Sequence, residues 1–241
     1  YLKTQCPEKR YRIIESRENV GGTWDLFRYP GIRSDSDMHT FGFKFKPWAR
    51  AKAISDGPSI LAYLNETVDE YAVRDNIDFG LRVISARWLS AESVWETVAR
   101  DCRGQEVRYR SRLLFMCSGY YRYSAGYTPD LPGLEEFAGT VVHPQLWPDD
   151  LDYSNKRVAV IGSGATAVTL IPAMADKASH VTMVQRSPTY IVSMPSKDRL
   201  ANLLNRLMPA AWAYACTRWR NIRFQNYFYK QAIEKPAKTR S

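Results

Sequence analysis

The sequence predicts an α/β fold organised as two successive strand-and-helix domains, and three features predict it. "KRVAVIGSGATAVTLIPAMA" followed by "HVTMVQRS" reads as strand, glycine turn, helix and strand, which is one βαβ unit. "YRIIESR" at 11–17 is a short apolar strand that closes on an acidic residue, Glu15, ahead of a turn at Gly21 and Gly22. The two regions echo each other, because an apolar strand ends near a candidate nucleotide-reading residue once at Glu15 and again at Arg186.

The elements between follow from periodicity. "GPSILAYLNETVDEYAV", 57–73, puts Ile60, Leu61, Leu64, Val68 and Tyr71 on one helical face. "LRVISARWL" and "SVWETVARD" alternate like an antiparallel pair, and "SRLLFMCSGYY" is a continuous apolar run expected to be a buried strand ending at Gly119. "FAGTVVHPQLWP", 137–148, then reads as a connector, although it spends a histidine and a tryptophan. After residue 193 a polar helix is expected near "DRLANLLNRLM", followed by a basic aromatic stretch. No fixed-period repeat or low-complexity tract interrupts this order.

In "VAVIGSGATA", Gly162, Gly164 and Ala167 have the G-x-G-x-x-G/A spacing directly after an apolar strand. The first glycine permits the tight turn, the second lets backbone approach a pyrophosphate, and the small third residue lets helix and strand pack. Ser163, Ala165, Thr166 and Val168 complete the turn and open a helix whose N-terminal N–H groups suit phosphate. Each domain is therefore read as Rossmann-like. The second strand ends in Gln185, Arg186 and Ser187 with no carboxylate, and a guanidinium there suits a 2′-phosphate, so NADPH is the expected cofactor. A plain tight turn and an exposed strand-terminal arginine are the competing readings. Glu15 occupies the place of an acidic ribose ligand, for which the matching glycine turn belongs about 20 residues upstream; an ordinary surface carboxylate is the alternative.

Composition excludes several classes. The charge of +9 from 34 Lys and Arg against 25 Asp and Glu fits nucleic acid, an anionic surface or phosphate-bearing cofactors, but the basic residues lack the helix or zinc spacings of a nucleic-acid reader. Cys6, Cys102, Cys117 and Cys216 stand far apart, so neither a metal site nor a disulfide framework is expected. The longest apolar candidate, "LMPAAWAYAC", is about half the roughly 20 residues a spanning helix needs. A cytoplasmic location follows as the expectation. The chain opens "YLKTQCPEKR", without an initiating methionine, and is expected to be an internal fragment without turnover of its own.

A long irregular run of glycines, prolines, aromatics and charges, "VGGTWDLFRYPGIRSDSD" at 20–37, is costly to order unless a ligand holds it. Together, "GGTW…RYPGIRSD" and the F-x-G-x-x-x-H-x-x-x-W spacing of Phe137, Gly139, His143 and Trp147 resemble the Baeyer–Villiger monooxygenases, flavoproteins that use FAD and NADPH. The resemblance covers nearly the whole chain. It implies an FAD-binding domain over 1–148, lacking its first strand and glycine fingerprint, and an incomplete NADPH-binding domain over 149–241. It implies that Glu15 holds the FAD ribose, that the backbone of Thr23, Trp24, Asp25 and Leu26 lies along the flavin cofactor, and that Val83 contacts the adenine. Arg33, Ser34 and Asp35 would line the gap between flavin and nicotinamide, and Gly162 to Val168 with Gln185, Arg186 and Ser187 would take NADPH.

The implied reaction inserts one oxygen atom of O2 into a ketone, or oxygenates a thioether or thioamide sulfur, through a peroxyflavin. Asp35 matches an aspartate that orients a catalytic arginine lying later in the family's chain. His143 is read as coupling two domains, against the alternative of a histidine satisfied in a connector beside a packed tryptophan. A flavin monooxygenase limited to nitrogen or sulfur oxygenation, and a non-catalytic NADPH-binding remnant, are the other readings. The basic aromatic tail, with Trp219, Phe224, Tyr227 and Phe228, is compatible with peripheral membrane contact or with a helix packed on protein.

Overall fold

A computed structural model describes residues 1–187, 191 and 194–234. Its elements run α1 (Leu2–Gln5), β1 (Ile13–Ile14), α2 (Thr23–Leu26), α3 (Met38–Phe41), α4 (Gly57–Glu70), β2 (Ile77–Asp78), β3 (Arg82–Leu89), β4 (Val94–Arg100) and β5 (Glu106–Ser111). Then follow β6 (Arg157–Ile161), α5 (Ala165–Ala175), β7 (His180–Val184), α6 (Arg199–Leu207) and α7 (Ala210–Glu234). The architecture is α/β. Contacts divide the chain into one unit of Tyr1–Arg28 with Ile60–Asp149, and a second of Tyr29–Ser59 with Asp150–Ser241. Tyr29–Ser59 thus groups with the βαβ region, not with its neighbours in sequence.

In the first unit, β1 and β2 pair in parallel through Ile13–Ile77 and Ile14–Asp78. The pairing is extended by Glu15 N–H donating to Asp78 O at 3.0 Å and Leu81 N–H to Glu15 O at 3.0 Å. β3, β4 and β5 form an antiparallel meander with an irregularity between Val83 and Ser85. β5 alternates exposed and half-buried residues, β4 buries Thr97, Val98 and Ala99 in succession, and Trp88 and Trp95 face each other across β3 and β4 with centroids 5.6 Å apart. Tyr109 donates to Asp78 at 2.9 Å, and burial, helped by that carboxylate, pushes its phenol up to about 12.

The strand expected over 111–121 is not formed. The ladder is taken by the preceding "EVRYRS", and beyond it Leu113, Phe115 and Met116 are over 70% exposed in irregular backbone. An apolar run without a partner strand has no ladder to satisfy its N–H and C=O groups, so hydrophobicity alone cannot make it a strand. The strand at 11–17 likewise contracts to two residues.

In the second unit, β6 and β7 pair in parallel from Arg157–His180 to Ile161–Val184. α5 buries Ala167, Leu170 and Met174, and tolerates Pro172 inside the helix. α6 starts at Asp198, whose carboxylate accepts from Ala201 N–H at 2.9 Å and also pairs with Arg220. α7 buries Ala213, Tyr214 and Thr217, whereas Trp219, Phe224, Tyr227, Phe228 and Ile233 are exposed. Among the described residues no helix is long and apolar enough to cross a membrane, and no cluster of His, Cys, Asp or Glu could hold a metal ion.

Candidate functional site

The glycine turn that follows β6 is tied to the end of β7, because Gly162 N–H donates to Val184 O at 2.8 Å. Gly162 has φ 131°, a backbone region L side chains rarely adopt, so glycine is required there. Gly164 is the N-cap of α5 at φ −77° and supplies no capping side chain, which leaves first-turn N–H groups for another acceptor. A Cβ built on either glycine would meet nothing within 4 Å. Ala167, by contrast, is buried, as expected of the small third residue of the fingerprint.

Ser163 Oγ lies 3.4 Å from Ser187 O, which brings the turn to the residues after β7. Gln185, Arg186 and Ser187 are exposed there, while Ala165 is exposed and Thr166 and Val168 are half-buried at the start of the helix. The rest of the "PTYIVS" stretch, apart from Ile191, lies outside the described residues.

Tyr29–Ser59 brings the Arg33–Asp35 stretch into the same unit as this turn. Gly31, at φ 80°, packs so tightly on α5 that a Cβ would lie 2.4 Å from Thr169 O and 2.7 Å from Ala173 Cβ. Arg33 pairs with Asp56 in an isolated antiparallel bridge, and Ser34 N–H donates to Ser55 O at 2.9 Å. Ser34 is buried, its hydroxyl donating to Ser36 O at 2.7 Å and accepting from Ser36 N–H at 3.1 Å. Arg33 and Asp35 are exposed on either side of it.

Next to this stretch, His39 is 2% exposed, and among the described residues its Nδ1 has no hydrogen-bond partner. Burial holds its pKa below the ordinary 6.5, reinforced by Arg220 and opposed by Asp37 and Asp198. The folded chain therefore binds fewer protons here than the unfolded chain. His39's contribution to stability is intact above pH 6.5 and falls away as pH drops toward the lowered folded value. His39→Gln is expected to flatten the pH dependence of the urea midpoint between about pH 7 and pH 5.5; parallel profiles for variant and wild type would refute this.

The remaining predicted residues lie in the first unit. Glu15 Oε1 accepts from Arg17 N–H at 2.9 Å, and the guanidinium of Arg17 reaches Asp25 Oδ2 at 2.5 Å through Nη2 and 3.2 Å through Nε. Asp25 is 4% exposed and also meets Arg28, whose Nε donates to Asp25 O at 3.0 Å and whose Nη2 lies 3.4 Å from Oδ1. Thr23, Trp24 and Leu26 are half-buried around it, and Val83 is exposed at the irregularity in β3. His143 Nδ1 accepts from Gln145 N–H at 3.2 Å, which requires the Nε2–H tautomer. Its ring covers Gly126, where a Cβ would sit 2.1 Å from Cε1. Buried Gln145 ties the same loop by donating to Arg122 O at 2.6 Å. Gly139 has a comparable reason, since a Cβ there would lie 2.5 Å from the Phe137 ring.

Sequence reasoning brought out neither Gln145 nor the arginine pair on Asp25. Arg28 lies only three residues from Asp25 in "DLFR" but beyond the end of α2 at Leu26, and Arg17 belongs to another element, so neither partner left a periodic signal.

Residues 54–234 match the flavin-binding monooxygenase-like family, and the chain belongs to that family. Among curated proteins it is 52% identical over 241 residues to the FAD-containing monooxygenase EthA of Mycobacterium tuberculosis, covering 100% of this chain and 49% of the relative. It is 47% identical over 237 residues to the probable FAD-binding monooxygenase AlmA of Acinetobacter baylyi, covering 98% and 48%. Among solved structures, NADP+-bound cyclohexanone monooxygenase from Rhodococcus sp. Phi1 superposes with TM-score 0.67 at 31% identity, covering 81% of this chain and 37% of that one. The chain spans about half the length of the curated relatives it matches.

Proposed function

We propose that this chain forms the NADPH-binding part and a portion of the FAD-binding part of a monooxygenase acting on a small ketone or a sulfur compound. The observation that carries the reading is the uncapped start of α5 after a glycine turn open to an incoming group, with Arg186 one residue from the contact that joins turn and strand end. Phosphate fits this arrangement: Gly162–Val168 would cradle the pyrophosphate on backbone N–H groups, and Arg186 with Gln185 and Ser187 would hold the 2′-phosphate. Glu15 would hold the FAD ribose, with Arg17 N–H fixing one carboxylate oxygen and leaving the carboxylate its other acceptor sites. Thr23–Leu26 and Val83 would lie along the flavin cofactor. In this reading 1–148 serves the flavin and 149–241 the nicotinamide, with Tyr29–Ser59 built into the second unit.

When bound, the nicotinamide supplies hydride and the flavin supplies the activation of O2. The chain's own work is to bind, orient and exclude water. Arg33 and Asp35 present charge from a stretch whose backbone is fixed at Gly31 and Ser34. His143 holds the 122–126 loop through its seat on Gly126, and in the whole protein would couple that loop to the connector's movement. A cytoplasmic small-molecule enzyme is the setting this implies.

Arg186→Ala tests the reading. With the 2′-phosphate contact removed, the Kd for NADPH is expected to rise about tenfold or more while that for NADH stays within about twofold. Equal affinities before and after the substitution would sink the assignment.

A further inference from the structure

We infer that Arg218, Asn221 and Gln225 of α7 are positioning residues for the Arg33–Asp35 stretch. The inference rests on the proposed role of Arg33 and Asp35 in presenting charge to the bound cofactors. α3 is a single turn of four residues, too short to persist on its own hydrogen bonds. It is held at both ends by one stripe of α7, with Tyr214, Arg218, Asn221 and Gln225 spaced at 0, 4, 7 and 11 along the helix.

At its C-terminal end, Arg218 Nη1 donates to His39 O at 2.8 Å and Thr40 O at 2.9 Å, with Gly42 O farther off at 3.5 Å. The same nitrogen lies 3.2 Å from the Tyr214 hydroxyl, which donates to Phe43 O at 3.2 Å. A cation at carbonyls left over by a helix end is well placed for both hydrogen bonding and the helix dipole. At the N-terminal end, the N-cap Asp37 accepts from Thr40 N–H at 3.1 Å and Thr40 Oγ1 at 2.6 Å. Its two oxygens also accept from Asn221 Nδ2 at 2.9 Å and Gln225 Nε2 at 3.3 Å. Met38 N–H donates to Ala53 O at 2.8 Å, so the turn is fixed from a third side.

The consequence falls on the residues just before Asp37. Arg33–Asp35 is anchored upstream by Gly31 on α5 and downstream by the clamped α3. Two exposed charged side chains are thus carried on fixed backbone. Removing the α7 contacts frees one end and leaves the glycine turn and Arg186 untouched.

The test uses a holoenzyme carrying this chain. Asn221→Asp sets a second carboxylate against Asp37 and is expected to speed amide exchange over residues 38–42 and to lower kcat, each about tenfold, with the Kd for NADPH within about twofold of wild type. Adding Asp37→Asn restores a donor and acceptor pair in the opposite sense, and exchange and kcat are expected to return to near wild-type values. Arg218→Lys, which keeps the charge and a donor, should fall between and serves if Asn221→Asp does not fold. Normal exchange and kcat in Asn221→Asp, or in Arg218→Lys where that variant stands in, would overturn the inference. So would failure of Asp37→Asn to rescue. A wild-type holoenzyme that binds no NADPH would instead overturn the functional reading, and this inference with it.

Discussion

Gly164→Asp is expected to leave the chain folded, even slightly more stable, while weakening NADPH binding by about a hundredfold or more. The two effects have opposite signs because one position serves two ends. Gly164 is the N-cap of α5 at φ −77° and ψ −178°, in the extended region where aspartate is a favoured cap, and a Cβ there meets nothing within 4 Å. The new carboxylate can accept from a first-turn N–H, a gain of a few tenths of a kcal/mol over glycine. It thereby occupies donors proposed for the pyrophosphate and sets negative charge against it. Gly162→Ala provides the contrast: at φ 131° a side chain is strained, so its loss of binding should come with about 1–3 kcal/mol of lost stability. Calorimetric titration beside thermal melts measures both. Undiminished NADPH affinity in a folded Gly164→Asp protein would remove the phosphate site from this turn.

Much of this site was legible in the sequence because its signals are local. The βαβ unit is continuous in the chain, and its glycine spacing, apolar strands and helix start need no distant partner to be recognised. The amphipathic helix at 57–73, observed as α4 ending at Glu70, and the antiparallel pair at 81–89 and 93–101, observed as β3 and β4, were readable from period alone. What was not legible depends on contacts made at long range. That Tyr29–Ser59 joins the unit holding β6, α5 and β7 follows from Gly31 on Thr169 and Ala53 N–H on Ser196 O at 2.8 Å, neither of which has a sequence period. The 111–121 run failed for a related reason, since apolar composition records burial but not the presence of a neighbouring strand.

Replacement of Asp25 should cost more stability than any surface change in the first unit, about 2–4 kcal/mol for Asp25→Ala by urea unfolding. Sequence reasoning valued "GGTWD" for its backbone beside a flavin, and in that view the aspartate side chain is incidental. The structure gives the side chain a separate task, because at 4% exposure it gathers Arg17 from beyond β1 and Arg28 from the irregular segment that follows α2. Deleting the carboxylate strands the Arg17 guanidinium, which is 26% exposed and so only partly rehydrated. The figure stands below the full penalty for a broken buried pair because both cations retain some water. Arg28→Met should cost less than about 1 kcal/mol, since that side chain is 58% exposed and its contact with Oδ1 is 3.4 Å. The ordering, Asp25 far above Arg28, separates a folding role from a purely electrostatic one, in which either partner would matter alike. Arg17 also fixes Glu15 through its N–H, so Asp25→Ala should weaken FAD binding in the holoenzyme through the proposed Glu15 contact, without the Asp25 side chain itself touching the cofactor. A variant that unfolds at the wild-type urea concentration would show that Asp25 is dispensable, and that the loop owes its shape to something other than this ion cluster.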